Sequence, residues 1–91
     1  MKPETHWKPH QNVVFTRFDD VGAALLNLET KRYYSLNETA LRIWELMAAG
    51  ADLAAIAEAV QREYEIELAA AEARVERFLE ELAREGLVES S

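Results

Sequence analysis

The stretch RYYSLNET at residues 32–39 contains the change from strand to helix that decides the fold. Its first half is rich in aromatic residues, which is typical of a β-strand. Asn37 is a good helix N-cap, and Ser35 with Glu38 three residues later offers an alternative capping box. Beyond this point the apolar period changes from two to 3.6. We therefore expect strands before residue 37 and helices after it.

Two earlier segments also predict strands. The segment VVFTRF at 13–18 is rich in β-branched and aromatic residues, and a turn containing Asp19, Asp20 and Gly22 separates it from AALLNL at 23–28. A second short turn leads into the aromatic strand at 32–36, so the three strands form an antiparallel meander. The first twelve residues contain two prolines and show no periodicity, and we expect a flexible tail over 1–12.

Three helices are expected after the strands. The first carries an apolar stripe that includes Ile43 and Trp44 and ends near Gly50. The second is capped by Asp52, and the third extends from about residue 69 to residue 85 and stops at Gly86. The expected fold is α+β and resembles a winged helix-turn-helix, with a three-stranded antiparallel sheet followed by three helices. A single domain over 13–88 and a C-terminal tail over 89–91 complete the expected organisation.

Composition excludes several classes of protein. A chain of 91 residues, 49% of them hydrophobic, fits one small domain. It has no cysteine, so disulfides, thiolate catalysis and cysteine-ligated metals are excluded. No apolar run is long enough to span a membrane, and the first ten residues lack the apolar core of a signal peptide, so we expect a cytoplasmic protein without a membrane partner.

No catalytic or metal-binding group stands out in the chain. His6 and His10 have the spacing of two ligands on a helix, but Pro9 opposes that helix. Asp19 and Asp20 are adjacent acids in a turn, where such residues are usually turn formers. We therefore expect no catalytic residue, no metal site and no cofactor.

The charge distribution argues against nucleic acid as a partner. The net charge of the chain is −7. Residues 1–37 carry five basic and four acidic side chains, for a net charge of +1. Residues 38–91 carry five basic and thirteen acidic side chains, for a net charge of −8. The third helix would read DNA in a winged-helix protein, yet its own net charge is −2. Its acids could instead steer a basic peptide, with Glu76 or Glu81 at the rim.

The last strand is an edge of the predicted meander. An edge strand presents unpaired N–H and C=O groups that accept a further strand. Nothing in residues 33–36 blocks such pairing. Two occupants are possible from the sequence: a guest peptide, or the chain's own residues 1–12.

Several motifs resemble those of the PqqD-like family of precursor-peptide recognition elements. They are YYSLNET at 33–39, IWEL at 43–46, Ile56 and ELAREGLV at 81–88. The resemblance extends from about Val13 to Val88 and implies the same three-strand, three-helix fold. It also implies a noncatalytic module that captures the leader segment of a precursor peptide and presents it to a processing enzyme.

The resemblance also implies where the leader binds. In this family the leader adds as an antiparallel strand to the third strand and lies against the third helix. In this chain the strand side consists of Lys31, Arg32, Tyr33, Tyr34, Ser35 and Leu36, and the helix side consists of Arg74, Arg77, Phe78 and Glu81. Apolar leader residues are expected against Phe78 and one of the tyrosines. An acidic leader residue at the two arginines and a basic one at the glutamates remain alternatives.

The pathway is suggested by one departure from the family pattern. Members from pyrroloquinoline quinone biosynthesis usually carry a Cys-Asp-Gly-like turn after the first helix, where this chain has AAGAD at 48–52. The IWEL helix and the stand-alone length look more like the leader-binding proteins of lasso-peptide pathways, whose partners are a leader-removing protease and a cyclase. A quinone-pathway chaperone for a radical enzyme and a DNA-binding regulator are the alternatives.

Overall fold

The computed structural model describes residues 2 and 4–90 of the chain. Five strands and three helices are present in this part of the protein. The strands are β1 (Trp7–Pro9), β2 (Val13–Arg17), β3 (Ala23–Asn27), β4 (Tyr33–Leu36) and β5 (Val88–Ser90). The helices are α1 (Glu38–Ala48), α2 (Leu53–Tyr64) and α3 (Leu68–Arg84).

The three strands β2, β3 and β4 form the predicted antiparallel meander. β3 lies in the centre of the sheet. Its Leu25 is opposite Phe15 of β2 on one side and opposite Tyr34 of β4 on the other. In the turn between β2 and β3, the Asp19 carboxylate accepts a hydrogen bond from the Val21 N–H at 2.9 Å. The α+β prediction of three strands followed by three helices is therefore confirmed, with strand boundaries that differ by one residue.

One face of this sheet packs on the helices. Leu25 and Leu36 are buried on that face, and Phe15 stacks on Trp44 of α1 with ring centroids 5.9 Å apart. Because side chains alternate along a strand, the other face carries the intervening residues, among them the exposed Val14 and Tyr33. The sheet thus has a buried helix side and an exposed outer side.

Local capping defines the first two helices. Asn37 accepts a hydrogen bond from the Ala40 N–H at 2.9 Å, and Asp52 accepts one from the Ala55 N–H at 2.8 Å, as their positions in the sequence predict. α3 has no side-chain cap and starts one residue earlier than predicted, after Glu67. The helices share a core with the sheet, to which α3 contributes Ala71, Val75, Leu79 and Leu82.

The prediction of a tail over residues 1–12 is wrong for the part that forms β1. Trp7 packs against the core, and β1 pairs antiparallel with β5, so Trp7 lies opposite Ser90. Backbone hydrogen bonds from His10 N–H to Leu87 and from Leu53 N–H to Thr5 hold the same segment. The C-terminal tail prediction is likewise wrong for residues 89–90, which belong to β5, while residues 1, 3 and 91 lie outside the described residues.

None of the helices in the described part of the chain is long and apolar enough to cross a bilayer. The longest, α3, is strongly amphipathic, with glutamate and arginine on its outer side. Its inner side packs on the sheet and on α2. This packing fixes the position of α3 relative to the sheet edge.

Candidate functional site

β4 is an edge strand whose outer side is open. Its inner side pairs with β3, and residues 7–9, which the sequence left as a possible cover, pair with β5 instead. The N–H of Asn27 donates to the carbonyl of Arg32 at 3.0 Å, and hydrogen bonding alternates along an antiparallel pair. The N–H and C=O groups of Tyr33 and Ser35 therefore point to the outer edge, where no other described segment pairs with them.

The side chains of β4 divide between the two faces of the sheet. Leu36 is buried and Tyr34 is half-buried on the helix side, whereas Tyr33 is 74% exposed on the outer side. A strand added beside β4 would alternate in the same way. Every second guest side chain would thus point toward α3.

One stripe of α3 faces β4. Arg74, Phe78 and Glu81 are four and three residues apart, so they lie in one row along the helix, and Glu85 continues this row at the C-cap. The ring of Phe78 contacts the ring of Tyr34 edge to face, with centroids 6.4 Å apart. This pair forms the apolar middle of the space between strand and helix, which we call the β4–α3 groove.

Polar contacts close one end of the β4–α3 groove. The Tyr34 hydroxyl lies beside Glu81, and the Arg32 guanidinium lies 3.3 Å from the Glu85 carboxylate. Burial first, then Glu81 as a hydrogen-bond acceptor and the charges of Glu81 and Glu85, raise the pKa of Tyr34 to about 12. Tyr34 is therefore a neutral hydrogen-bond donor across the physiological pH range.

The other end of the β4–α3 groove is open. It contains a cavity of about 240 Å³. Ala40, Ile43 and Phe78 provide its apolar lining, and Arg74 is the one charged side chain among the described residues that line it. The remaining lining residues are Tyr34, Ser35, Asn37 and Thr39. An apolar pocket with a polar rim thus adjoins the outer edge of β4.

The buried side chain of Asn27 sets the position of the closed end. Its amide nitrogen donates to the Glu85 carbonyl at 2.9 Å, and its amide oxygen accepts from the N–H groups of Glu29 and Thr30. The turn before β4 is thereby tied to the end of α3. Sequence analysis missed Asn27, although its place on the same face of β3 as Leu25 is a signal, since a polar side chain on a buried face requires partners.

Gly86 lies next to the side chain of Asn27. Its φ is +70°, and a Cβ at this position would lie 3.0 Å from the amide nitrogen of Asn27. A side chain here would strain the backbone and press on the Asn27 amide. Gly86 was predicted as a helix stop, and the structure gives it this second constraint.

The structure brings together most of the residues predicted for the site. Arg32, Tyr34, Arg74, Phe78 and Glu81 all lie along the β4–α3 groove. Lys31 lies in the preceding turn with a φ of 64°, and its N–H donates to the Asn27 carbonyl. Tyr33, Ser35 and Leu36 belong to β4 itself. Arg77 is the exception, because it lines a separate depression with Ala73, Glu76, Glu80 and Arg84.

A larger depression of about 430 Å³ lies elsewhere, beside α1 and the end of α2. Two of its lining acids are already ion-paired at 2.8 Å, Glu45 with Arg17 and Glu63 with Arg42. None of the described residues that line the depression belongs to a strand. The β4–α3 groove is therefore the stronger candidate site.

A protein family and two solved structures are similar to this chain. The PqqD family, described as Coenzyme PQQ synthesis protein D, matches residues 22–88. The structure of TbiB1 in complex with the TbiA(beta) leader peptide is similar, with 33% identity, a TM-score of 0.84, and coverage of 90% of this chain and 94% of that chain. Lasso peptide synthetase B1 complexed with its leader peptide is 25% identical, with a TM-score of 0.85 and coverage of 92% and 98%.

No curated protein matches the chain. The family match nevertheless includes β3, β4, all three helices and the start of β5, and so contains both walls of the β4–α3 groove. This chain belongs to the PqqD family.

Proposed function

We propose that this protein is a noncatalytic leader-peptide-binding protein of lasso-peptide biosynthesis. A precursor peptide would bind by adding its leader as an antiparallel strand to the outer edge of β4. The bound leader would then be presented to a maturation enzyme. Two structures similar to this chain are complexes with leader peptides, one of them named as a lasso peptide synthetase, and these similarities support the proposal.

The observation that carries the proposal is the open edge of β4 next to an apolar groove. The N–H and C=O groups of Tyr33 and Ser35 offer four hydrogen-bonding positions to a guest strand. Phe78 and Tyr34 offer it an apolar surface beside that edge. An exposed edge strand is normally blocked in soluble proteins, so an open one with such a surface fits peptide capture.

Magnitudes show which contacts must give specificity. Four backbone hydrogen bonds contribute about 2 to 6 kcal/mol in total, at roughly 0.5 to 1.5 kcal/mol each. Ordering four guest residues costs about 4 to 8 kcal/mol, at roughly 1 to 2 kcal/mol each. Backbone pairing therefore does not suffice, and guest side chains that enter the groove must supply the remaining affinity at about 1.5 to 3 kcal/mol for each buried apolar group.

The proposal also covers the enzymes that act on the bound leader. We expect a leader-removing protease as the first partner and a cyclase as a further one, with all components in the cytoplasm. No nucleic acid, membrane or cofactor has a role in this function. The protein contributes binding and orientation, and the partner enzymes contribute the chemistry.

A leader titration tests the proposal. We expect a short precursor peptide to be encoded beside the gene. Its leader is labelled with fluorescein, and the affinity of the labelled leader is measured by fluorescence anisotropy. Phe78→Ala and Tyr34→Ala should each weaken binding about 10-fold or more, because each removes apolar contact area from the groove. The N–H signals of Tyr33 and Ser35 should shift in the NMR spectrum when the leader is added.

Tyr64→Ala is the matched control, since it truncates another partly exposed aromatic side chain, at the end of α2 and away from β4. Circular dichroism confirms that each variant is folded. Unchanged leader affinity in both groove variants would rule out the β4–α3 groove as the binding site.

A further inference from the structure

We propose that Arg74 makes this protein selective for leaders with an acidic side chain near the amino-terminal end of the paired segment. The inference rests on the proposed function and adds a charge requirement to it. It decides between the two electrostatic alternatives that the sequence leaves open. The argument depends on the position of Arg74, on its lack of an ion pair, and on the direction of the guest strand.

Arg74 lies at the open end of the β4–α3 groove. It is one turn before Phe78 on α3 and lines the 240 Å³ cavity that Ser35 of β4 and Thr39 of α1 also border. Among the described residues that line this cavity, no other side chain carries a charge. A guest side chain that enters the cavity therefore meets one cation at the rim of an apolar pocket.

Arg74 makes no ion pair within the described part of the chain. The arginines at 17, 32 and 42 each have a carboxylate partner within 3.4 Å. Arg62, Arg77 and Arg84, like Arg74, have none among the described residues, and Arg74 is the one of these four that lines the cavity. A guanidinium without an intramolecular partner remains available to bind a carboxylate on the guest, and Arg binds carboxylates with two parallel hydrogen bonds.

The acids of the groove are at its other end and already have partners. Glu81 lies beside the Tyr34 hydroxyl and interacts with it, and Glu85 is ion-paired with Arg32. A basic leader residue would bind Glu81 or Glu85 only by displacing one of these existing contacts. A basic leader residue is therefore less favoured than an acidic residue at Arg74.

The direction of the guest strand determines which part of the leader meets Arg74. β4 runs from Tyr33, near the closed end, to Leu36, near the open end. An antiparallel guest runs in the opposite direction, so its amino-terminal residues lie at the open end. The acidic residue should thus come before the residues that pack on Phe78 and Tyr34.

Arg77 offers a matched comparison. It is exposed on the same helix but lines a different depression with Glu76 and Glu80. Charge reversal at Arg74 or at Arg77 changes the net charge equally. If the two variants differ in their preference for acidic peptides, the difference therefore comes from a local contact and not from general electrostatic attraction.

A displayed library of random 14-residue peptides is selected against the wild-type protein, Arg74→Glu and Arg77→Glu. Selected peptides are retained when their addition shifts the N–H signals of Tyr33 and Ser35. The wild-type and Arg77→Glu pools should be enriched in Asp or Glu at one position in the amino-terminal half of the shared segment. The Arg74→Glu pool should lose this enrichment and favour Lys or Arg there.

A synthetic peptide from the wild-type pool is then compared with its Glu→Gln analogue by fluorescence anisotropy. The wild-type protein should bind the analogue about 5-fold more weakly, and Arg74→Glu should show no such preference for the acid. Peptides that bind at β4 without acidic enrichment, or enrichment that survives Arg74→Glu, would overturn the inference and leave the proposed function intact. A library without any peptide that shifts the β4 signals would contradict both.

Discussion

At the scale of single residues, the side chain of Asn27 joins two parts of the molecule that are 58 positions apart in the chain. It is 5% exposed and uses both its amide nitrogen and its amide oxygen. Its three hydrogen bonds hold the turn before β4 against the end of α3. The width of the β4–α3 groove at its closed end therefore depends on this residue.

Asn27→Ala should lower the free energy of unfolding by about 2 to 4 kcal/mol, because it leaves the Glu29 and Thr30 N–H groups and the Glu85 carbonyl without their partner. Urea denaturation followed by circular dichroism measures the change. Asn12→Ala is a suitable control, since the Asn12 side chain bonds only at the surface, to Glu29. If Asn27→Ala lowered the free energy of unfolding no more than Asn12→Ala does, the hydrogen bonds of the Asn27 side chain would not contribute to stability.

Tyr34 gives a prediction about pH. Its folded-state pKa of about 12 exceeds the ordinary value of 10.0, so the fold favours the protonated phenol. The resulting stabilisation is fully present below pH 10 and is lost as the pH rises through 12. Wild-type protein should therefore lose more stability between pH 10 and 12 than Tyr34→Phe does, as measured by urea denaturation. Parallel pH profiles for the two proteins would contradict this assignment.

Residue-level prediction from sequence succeeded where a local pattern was sufficient. The caps at Asn37 and Asp52 depend on neighbours three positions away, and the structure confirms both. Asn27 acts through contacts with Glu85 and Gly86, which are distant in the chain. The placement of Arg77 away from the groove likewise follows from the rotation of α3 against the sheet, which the sequence does not specify.

At the scale of secondary-structure elements, the backbone groups of β4 form two sets that point to opposite sides of the strand. One set pairs with β3 and maintains the sheet, and the other set, from Tyr33 and Ser35, faces outward. The fold therefore does not depend on the outward groups. We therefore expect the proposed leader binding and the stability of the fold to be separable by mutation.

Ser35→Pro should remove one outward N–H and weaken leader binding about 10-fold, while leaving the sheet folded, because proline is tolerated in an edge strand when its missing N–H faces away from the ladder. Ser35→Ala keeps the N–H and should bind like wild type. Fluorescence anisotropy measures the affinity, and thermal unfolding checks the fold. Equal affinity of the two variants would argue against strand addition at β4.

The strands β1 and β5 show why some elements escape prediction from sequence. Each has three residues, and their pairing joins the two ends of the chain. Neither segment is long enough to show a period of two, and Pro9 lowers the strand propensity of β1. Long segments such as α1 and α2 carry several turns of apolar periodicity and were predicted correctly.

At the scale of the whole molecule, the groove lies where two parts of different charge meet. The strand-forming half has a net charge of +1 and the helical half a net charge of −8. Arg74 is a cation on the acidic half, and Arg32 is held by Glu85 from the other side. Composition predicts the difference in charge between the two halves, but only the packing of α3 shows which charges face the groove.

Trp7 tests whether β1 is part of the folded unit. Trp7→Ala should lower the free energy of unfolding by about 2 to 4 kcal/mol, because the indole packs against the core. Leader affinity should remain close to that of the wild type, since β1 pairs with β5 and not with β4. Urea denaturation and fluorescence anisotropy provide the two measurements. If Trp7→Ala were as stable as the wild type, β1 would be dispensable for folding. Reduced leader affinity in a folded variant would instead connect β1 to the groove.

The pairing of β1 with β5 has a consequence for protein engineering. Trp7 lies directly opposite Ser90, so the two ends of the folded unit meet at one corner. A short glycine-serine bridge there should allow a circular permutant whose new ends open at the exposed turn around Gly50. A reporter domain fused just before β1 or just after β5 would begin at the same corner of the molecule.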